Sequence, residues 1–475
     1  MTFYDQKFGT PARRTKPQPA RVTKPAATEA APANRSAQVV PHSTNKQGTF
    51  AYRALLTFSF LYFARPEDFI PGLAHIPIGK ISGGLAILGL LLSWGKLKAK
   101  MPLAIKLVLV LLAHMCLTVV FAFWRGGAFD IVVNQFSKAA MVAVLVAMIV
   151  STVDELRKLL WVQSASIAAM TIASIFIHPA GLGASRRLWG VGGVFANPND
   201  LAISIAINFP LCLALLLGAK GILKKLTWGV ALLFLLYGVV ATYSRSGLIA
   251  MVVCLIICVW EFGVKGRRPQ LVVAAILLFM GGVAAGLSVP GYVTRIETLV
   301  EGNLKGSGDQ GSLEARRELL MQSIQTTLQH PIFGVGPGNF QAYTKSWRVT
   351  HNTYTELSSE TGLVGLGIFL AILYLTFRSL SKVPKTAAYK ADPKIQLFTA
   401  ALRAGLTAYI VGAAFASTSY TLYPYFMVAY VSALYKIATT PELNQDTQSV
   451  GKSLNSRNTR DLYGKQEQHA LAGAR

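Results

Sequence analysis

Long apolar runs alternate with short polar or basic connections along most of the chain. Twelve runs are long enough to cross roughly 30 Å of hydrocarbon, so we predict twelve membrane helices. The predicted spans are 50–64, 77–94, 103–123, 129–150, 156–177, 199–218, 226–243, 246–262, 270–288, 360–378, 397–416 and 420–437. This pattern predicts an all-α, polytopic membrane protein with one large external loop, residues 290–359.

Polar segments flank the apolar region on both sides. Residues 1–49 are rich in Pro, Ala and Arg, and they contain no apolar run that would form a cleavable signal. We expect this segment to be a disordered, basic cytoplasmic tail. Residues 50–437 then form one transmembrane domain, and residues 438–475 form a second polar cytoplasmic tail.

Composition and charge support a membrane location. The 475 residues include 52% apolar and only 14% charged residues, which excludes a soluble multi-domain protein of this length. A net charge of +25 could suggest a nucleic-acid partner, but the basic residues concentrate in the first tail and in alternate connections. That distribution follows the positive-inside rule and predicts an inner-membrane protein with both termini in the cytoplasm. No nucleic-acid partner is expected.

The large external loop contains a predicted amphipathic helix. Leu313, Leu320, Ile324 and Leu328 recur at helical spacing, so we expect this helix to lie on or near the membrane. A glycine-rich turn, GVGPGNF, follows between Gly334 and Phe340. The sequence HNTYTELSSETGLVGLGIFL comes next, and it begins at His351 shortly before an apolar run.

These two stretches resemble the C-terminal signature of the O-antigen ligase and polymerase superfamily. The resemblance covers approximately residues 189–375 and is most specific over residues 334–370. It implies a bacterial membrane glycosyltransferase that moves a glycan from an undecaprenyl-pyrophosphate carrier to an acceptor hydroxyl at the periplasmic face. It also implies inversion at the anomeric carbon and catalysis without metal.

Arginines on the external side are the candidate ligands for pyrophosphate. The positive-inside rule disfavours basic residues there, and guanidinium groups suit bidentate phosphate contacts. Contact with lipid headgroups or surface ion pairs is the alternative for each of them. Arg245 lies in a very tight turn that resembles the corresponding turn of the family. Arg316 precedes Pro331 by fifteen residues, and the family's arginine precedes its corresponding loop by a similar helix. We expect these two to bind one pyrophosphate. The further candidates are Arg186, Arg187, Arg317 and Arg348.

His351 is the predicted general base, because the unperturbed pKa of histidine lies near neutrality. A neighbouring arginine would lower its pKa and keep it neutral. Asn352 and Tyr354 would orient His351 or the acceptor sugar from a helix start, while Gly336 and Gly338 leave room opposite. The alternative is that the His-Asn pair only caps a helix. His330 and His178 each neighbour a proline and are expected to be structural.

Two further polar residues are candidate substrate contacts. Asn199 belongs to an Asn-Pro-Asn segment that resembles the family's, although Asn199 or Asp200 could instead cap the following helix. Lys138 lies inside an apolar run, where it could reach the anionic site or turn outward to pair with Asp130.

Motifs for other donor chemistries are missing from the sequence. We find no Asp-x-Asp pair, no Walker loop and no zinc-ligand spacing, so we predict neither a metal nor a cofactor. The expected partners are a lipid-linked glycan donor, a glycan, lipid or protein acceptor, and the bilayer. A repeat-unit polymerase and a protein O-glycosylation ligase share the motifs. A solute transporter is the competing class, but the polar candidates gather at one face rather than at mid-membrane.

Overall fold

The computed structural model describes residues 46–440, except 69, 71–72, 74–77, 94–99, 178–186, 191–192, 289–309 and 347. The described residues form helices and connecting turns, without strands. The all-α prediction is therefore confirmed. The two predicted tails lie almost wholly outside the described residues, although the first helix begins at Lys46 rather than at residue 50.

Thirteen helices of sixteen or more residues organise the described part, together with shorter helical turns. In chain order they are α1 (Lys46–Ala64), α2 (Ile78–Ser93), α3 (Leu103–Phe121), α4 (Arg125–Ile149), α5 (Val153–Ile177), α6 (Pro198–Leu217), α7 (Ile222–Ala241), α8 (Arg245–Val264), α9 (Pro269–Ser288), α10 (Gln310–Gln329), α11 (Thr353–Lys382), α12 (Pro393–Ala413) and α13 (Leu422–Thr439). All twelve predicted apolar runs fall on helices, and α10 is the helix predicted inside the external loop.

Eight described helices are long and apolar enough to cross a membrane, namely α3 to α8, α11 and α12. This confirms a polytopic membrane protein, while the number twelve remains a prediction. The interior of the bundle is built around α6, where 78% of the most apolar window is buried, against 33% for α3 and α7. Helices α7, α8 and α12 pack against α6, and α13 packs against α4. The outer helices expose apolar faces, as expected of helices that contact lipid.

Two helices contain a π-helical turn, which the sequence did not reveal. One covers Ile131–Phe136 in α4, and the other covers Val259–Val264 in α8. A π turn accommodates one extra residue and redirects the side chains around it. In α8 the turn presents Glu261 to Arg403 of α12, and their side chains lie 2.8 Å apart. This largely buried ion pair joins α8 to α12.

Helix α11 begins earlier than predicted and contains a sharp break. The predicted span was 360–378, whereas α11 begins at Thr353. Gly362 has φ +74° and ψ 176°, which lie outside helical geometry, so the helix consists of two segments. The first segment, residues 353–361, is polar, and residues 353–359 of it were assigned to the external loop. It is nevertheless buried over Glu356–Gly362, because other parts of the chain pack around it.

Candidate functional site

The polar residues of the structure gather where the first turns of α6, α8 and α11 lie close to residues 416–421. Asn199 at the start of α6 accepts a hydrogen bond from Ser244, the residue before α8, at 2.7 Å. Thr353 at the start of α11 donates to the carbonyl oxygen of Ala416 at 2.6 Å. Asp200 of α6 and Thr418 line the same small cleft. The helix starts that carry Asn199, Arg245 and Tyr354 are therefore neighbours.

The glycine-rich loop satisfies the backbone groups that the break in α11 leaves without helical partners. Val335 N–H donates to the Ser359 carbonyl at 2.9 Å, and Gly336 N–H donates to the Glu360 carbonyl at 2.9 Å. In the opposite direction, Leu363 N–H donates to the Pro331 carbonyl at 2.8 Å. Unpaired backbone groups are costly within a membrane protein, so the loop and the break stabilise each other.

A histidine that the sequence did not single out completes this arrangement. His114 of α3 places its Nε2 atom 2.8 Å from the Thr361 carbonyl oxygen, directly before the break. Its ring also stacks near Phe333, with ring centroids 6.4 Å apart. His114 therefore contributes to the packing of α3 against the broken helix.

The glycines of the loop are required by close packing. Gly334, Gly336 and Gly338 all have positive φ, between 67° and 101°, which favours glycine. A Cβ atom on Gly336 would collide with Ala122, and one on Gly338 would lie 2.6 Å from Ile131 in the π turn of α4. The expectation that Gly336 and Gly338 leave room is wrong, since protein atoms fill that space. Their assignment to substrate binding stays a prediction.

Glu360 fixes the loop from inside the protein. One carboxylate oxygen accepts from Gly338 N–H at 2.7 Å and from the Tyr420 hydroxyl at 2.5 Å. The other oxygen accepts from Phe340 N–H at 3.1 Å. The side chain is almost fully buried, and a buried carboxylate needs such donors. Glu360 thereby joins the glycine-rich loop, α11 and the segment before α13.

His351 lies just outside α11 in a left-handed backbone conformation, with φ +55°. It was expected on the helix start, but the first helical residue is Thr353 and the N-cap is Asn352. Burial lowers the pKa of His351, and the positive charges of Arg316 and Arg348 lower it further. The expected effect of a neighbouring arginine is thus present, with burial as the larger cause. Among the described residues, no hydrogen bond engages the ring nitrogens of His351.

The residues next to His351 have structural partners of their own. The Asn352 side-chain oxygen accepts from the N–H groups of Tyr354 and Thr355, which makes Asn352 the cap of α11. The Tyr354 hydroxyl donates to the Ile410 carbonyl of α12 at 2.8 Å. The helix-cap alternative therefore describes Asn352 but not His351.

The predicted arginines differ in exposure. Arg316 on α10 is partly buried and acts electrostatically on His351, while its neighbour Arg317 is exposed. Arg348 is exposed and acts on His351 from the segment before it. Arg245 is the first residue of α8 and is partly buried. The positive charge of Arg316 thus acts on the candidate base. The binding of one pyrophosphate by Arg245 and Arg316 stays a prediction.

Arg187 and Asn199 organise the turn that precedes Arg245. The Arg187 guanidinium donates to the Asn199 side-chain oxygen at 2.8 Å and to the Thr242 carbonyl at 2.9 Å. The cap of α6 is Asn197, whose side chain accepts from Asn199 N–H, so neither Asn199 nor Asp200 has the alternative capping role. The pair Asn197-Pro198, a cap residue followed by proline at the first helical position, could have indicated this from the sequence. Arg186 and His178 lie outside the described residues.

Lys138 and His330 complete the predicted set. Lys138 is partly buried in α4, and among the described residues no ion pair joins it to Asp130, whose carboxylate accepts from Asn134 at 2.6 Å. The pairing alternative is therefore wrong, and contact with the anionic site stays a prediction. His330 is exposed and lies 3.2 Å from the Tyr343 hydroxyl, at the turn after α10. Within the described residues, no three His, Cys, Asp or Glu side chains are grouped as a metal site.

The sequence analysis did not identify residues 417–420 as part of the site. Ser417, Thr418, Ser419 and Tyr420 lie side by side with the start of α11, and we refer to them as the hydroxyl segment. Residues 417–419 fall between the predicted spans 397–416 and 420–437, and Tyr420 was predicted as the first residue of the last span. Five consecutive hydroxyl residues, 417–421, lie between apolar runs and were the available signal.

The comparisons with known proteins cover part of this region. Residues 230–370 match the family model described as O-antigen ligase, and this range includes Arg245, Arg316 and His351. The chain is 27% identical over 208 residues to the exopolysaccharide production protein ExoQ of Rhizobium meliloti (strain 1021). That match covers 39% of this chain and 45% of ExoQ, so it spans less than half of the relative's length. The start of α8, the break in α11 and the candidate base thus lie within the residues, 230–370, that match the O-antigen ligase family model.

Proposed function

We propose that this protein transfers a glycan from an undecaprenyl-pyrophosphate carrier to an acceptor hydroxyl, at the periplasmic face of the bacterial inner membrane. The observation that carries the proposal is His351, which lies just before a broken membrane helix and is influenced by the positive charges of Arg316 and Arg348. Burial and positive charge keep such a histidine neutral, and only the neutral form can accept a proton.

The proposed reaction is a single displacement. The acceptor hydroxyl gives its proton to His351, and its oxygen forms a bond to the anomeric carbon of the donor sugar. The bond from that carbon to the pyrophosphate oxygen breaks, and undecaprenyl pyrophosphate leaves with the electron pair. Arg245 and Arg316 would neutralise the charge of the leaving group, so the reaction would not need a metal ion for this purpose. A single displacement would invert the configuration of the anomeric carbon.

Arg187 and Asn199 support this scheme from the turn before Arg245. Arg187 bonds the Thr242 carbonyl and Asn199, and Asn199 accepts from Ser244, which caps α8. These bonds limit how far the first turn of α8 can move. An arginine presented from a fixed turn needs less reorganisation when the leaving-group charge develops.

Polymerisation of repeat units is the second candidate for the same chemistry. The relative ExoQ is named for exopolysaccharide production, which favours a growing polysaccharide as the acceptor. The reaction would be unchanged, but the acceptor hydroxyl would belong to a second lipid-linked glycan.

A transfer assay with defined substrates tests the proposal. Purified protein in liposomes would receive a fluorescent oligosaccharide on undecaprenyl pyrophosphate, with EDTA present. We expect a covalent product with a lipid, protein or polysaccharide acceptor. A ladder formed from the donor alone would identify a polymerase. Movement of the donor across the bilayer without a new covalent product for any acceptor would contradict the proposal and favour a transporter.

A further inference from the structure

The hydroxyl segment runs alongside the first turns of α11 and bonds to it residue by residue. Each of its four members contacts a different residue of the helix start, in matching order. The pairs are Ser417 with His351, Thr418 with Thr353, Ser419 with Glu356 and Tyr420 with Glu360. The partners are 60 to 66 positions apart in the sequence, so only the tertiary fold brings them together.

Ser417 is the member of the hydroxyl segment that bonds the backbone of His351. Its hydroxyl oxygen accepts the His351 N–H at 3.1 Å and lies 3.2 Å from the Thr350 hydroxyl. Thr350 in turn donates to the Asn352 carbonyl at 3.0 Å. The same Ser417 hydroxyl also faces the Glu356 carboxylate. Ser417 thus bonds the His351 N–H directly and reaches the Asn352 carbonyl through the Thr350 hydroxyl.

This connection is needed because His351 has an unfavourable backbone conformation. A left-handed φ of +55° is strained for a residue with a Cβ atom and persists only where the surroundings fix it. The imidazole has no hydrogen-bond partner among the described residues, so no hydrogen bond there holds the ring directly. The direction of the ring therefore depends on how firmly the backbone of residue 351 is held.

We propose that Ser417 is a positioning residue that orients His351 for proton transfer, through the hydrogen bond from the His351 N–H. This inference rests on the proposed function, because it assumes that His351 is the base. Ser417 does not touch the substrate in this scheme. Its loss should reduce the rate of the chemical step and leave donor binding unchanged.

The test compares four proteins in the liposome transfer assay: wild type, Ser417→Ala, Ser417→Thr and Ser379→Ala. Ser379 is a matched control on α11, because its hydroxyl donates only to the Leu375 carbonyl of its own helix. We expect kcat of Ser417→Ala to fall about five- to tenfold, the rate equivalent of a neutral hydrogen bond, with KM for the donor unchanged. Ser417→Thr keeps the hydroxyl and should recover most of the rate, and Ser379→Ala should match wild type.

A second readout does not depend on turnover. Diethyl pyrocarbonate modifies neutral imidazoles, and mass spectrometry of the His351 peptide gives its labelling rate. We expect faster labelling of His351 in Ser417→Ala than in wild type, Ser417→Thr or Ser379→Ala, because the freed backbone exposes the ring.

The outcomes separate the two proposals. Wild-type rate and wild-type labelling in Ser417→Ala would overturn the positioning role and leave the proposed function intact. A rise in KM at unchanged kcat would also overturn it, since Ser417 would then act on binding. Altered labelling without glycan transfer by wild-type protein on any acceptor would support the positioning of His351 while rejecting the proposed function.

Discussion

His351 combines a strained backbone, a partly buried ring and two nearby arginines. Burial and the charges of Arg316 and Arg348 lower its pKa below the ordinary value for histidine. A base of this kind is neutral over a wider pH range than a free histidine. Arg317, one residue further along α10, is exposed and does not contribute to this shift. Arg316 and Arg317 are neighbours on one helix, yet of the two only Arg316 lowers the pKa of His351.

The pH dependence of transfer should report this difference. Activity should fall as the pH drops through the lowered pKa of His351, because protonation removes the base. Arg316→Gln removes a positive charge, so the pKa of His351 should rise and the acid limb of kcat/KM should move to higher pH. Arg348→Gln should move it less, and Arg317→Gln should leave its position unchanged. An acid limb that stays in place in Arg316→Gln would contradict the electrostatic role of Arg316.

Gly362 should be intolerant of substitution. Gly362→Ala places a Cβ atom against the Ile332 carbonyl oxygen in a backbone conformation that disfavours alanine. We expect a loss of about 2 kcal/mol or more in stability, visible as a lower thermal unfolding midpoint in detergent. Gly367→Ala on the same helix is the control, because a Cβ atom there meets no atom within 4 Å. Equal midpoints for the two variants would contradict the packing described around the break.

At the scale of elements, the glycine-rich loop and the two segments of α11 form one unit. The loop supplies partners to the carbonyl groups before the break, and Glu360 holds the loop through Gly338, Phe340 and Tyr420. Neither the loop nor the polar segment of α11 would be stable alone, since each leaves backbone groups unpaired. The position of His351 follows from this unit, because α11 begins directly after it.

Glu360→Gln should loosen the loop. An amide group offers one acceptor oxygen and a donor NH2, so it cannot accept all three hydrogen bonds that the carboxylate accepts. The mismatch should cost about 1–3 kcal/mol locally and speed hydrogen exchange of residues 335–340. Glu314→Gln, at an exposed position of α10, is the control. Unchanged exchange of residues 335–340 in Glu360→Gln would show that other contacts hold the loop.

The helices were predictable from sequence because hydropathy alone defines a membrane span. The start of α11 was not, because Thr353 to Thr361 are mostly polar and become buried only through the glycine-rich loop and the hydroxyl segment. His351, Arg245 and Arg316 were chosen on sequence motifs, and in the structure the charge of Arg316 lowers the pKa of His351. The roles of Gly336, Gly338 and Asn352 in packing and capping depend on contacts with distant residues. No local pattern could have shown them.

For the whole molecule, the polar helix starts meet at one end of the bundle, while its outer helices expose apolar side chains to the surroundings. At another place in the bundle, α8 and α12 are joined by Glu261 and Arg403. A protein that transfers a glycan from a lipid carrier to a water-soluble or membrane-bound acceptor needs a polar site at the membrane surface. The basic connections predict that this end faces the periplasm.

Cysteine labelling tests this orientation. In a protein whose four native cysteines are replaced, the single cysteine of Lys305→Cys should react with a membrane-impermeant maleimide added to spheroplasts. One cysteine at Lys224, in an exposed position of the predicted cytoplasmic connection, should react only after the membrane is permeabilised. The opposite pattern would place the candidate site on the cytoplasmic side and remove its access to a periplasmic donor.

The most direct test of His351 as the general base is glycan transfer by His351→Ala in liposomes, with His330→Ala as the matched histidine control. His330 is exposed at the turn after α10, so its loss should leave transfer close to wild type. We expect that His351→Ala inserts normally and binds the donor, but transfers glycan about 10² to 10⁴ times more slowly, with no recovery on adding divalent metal. Undiminished transfer by His351→Ala across the pH range would contradict the assignment of His351 as the base.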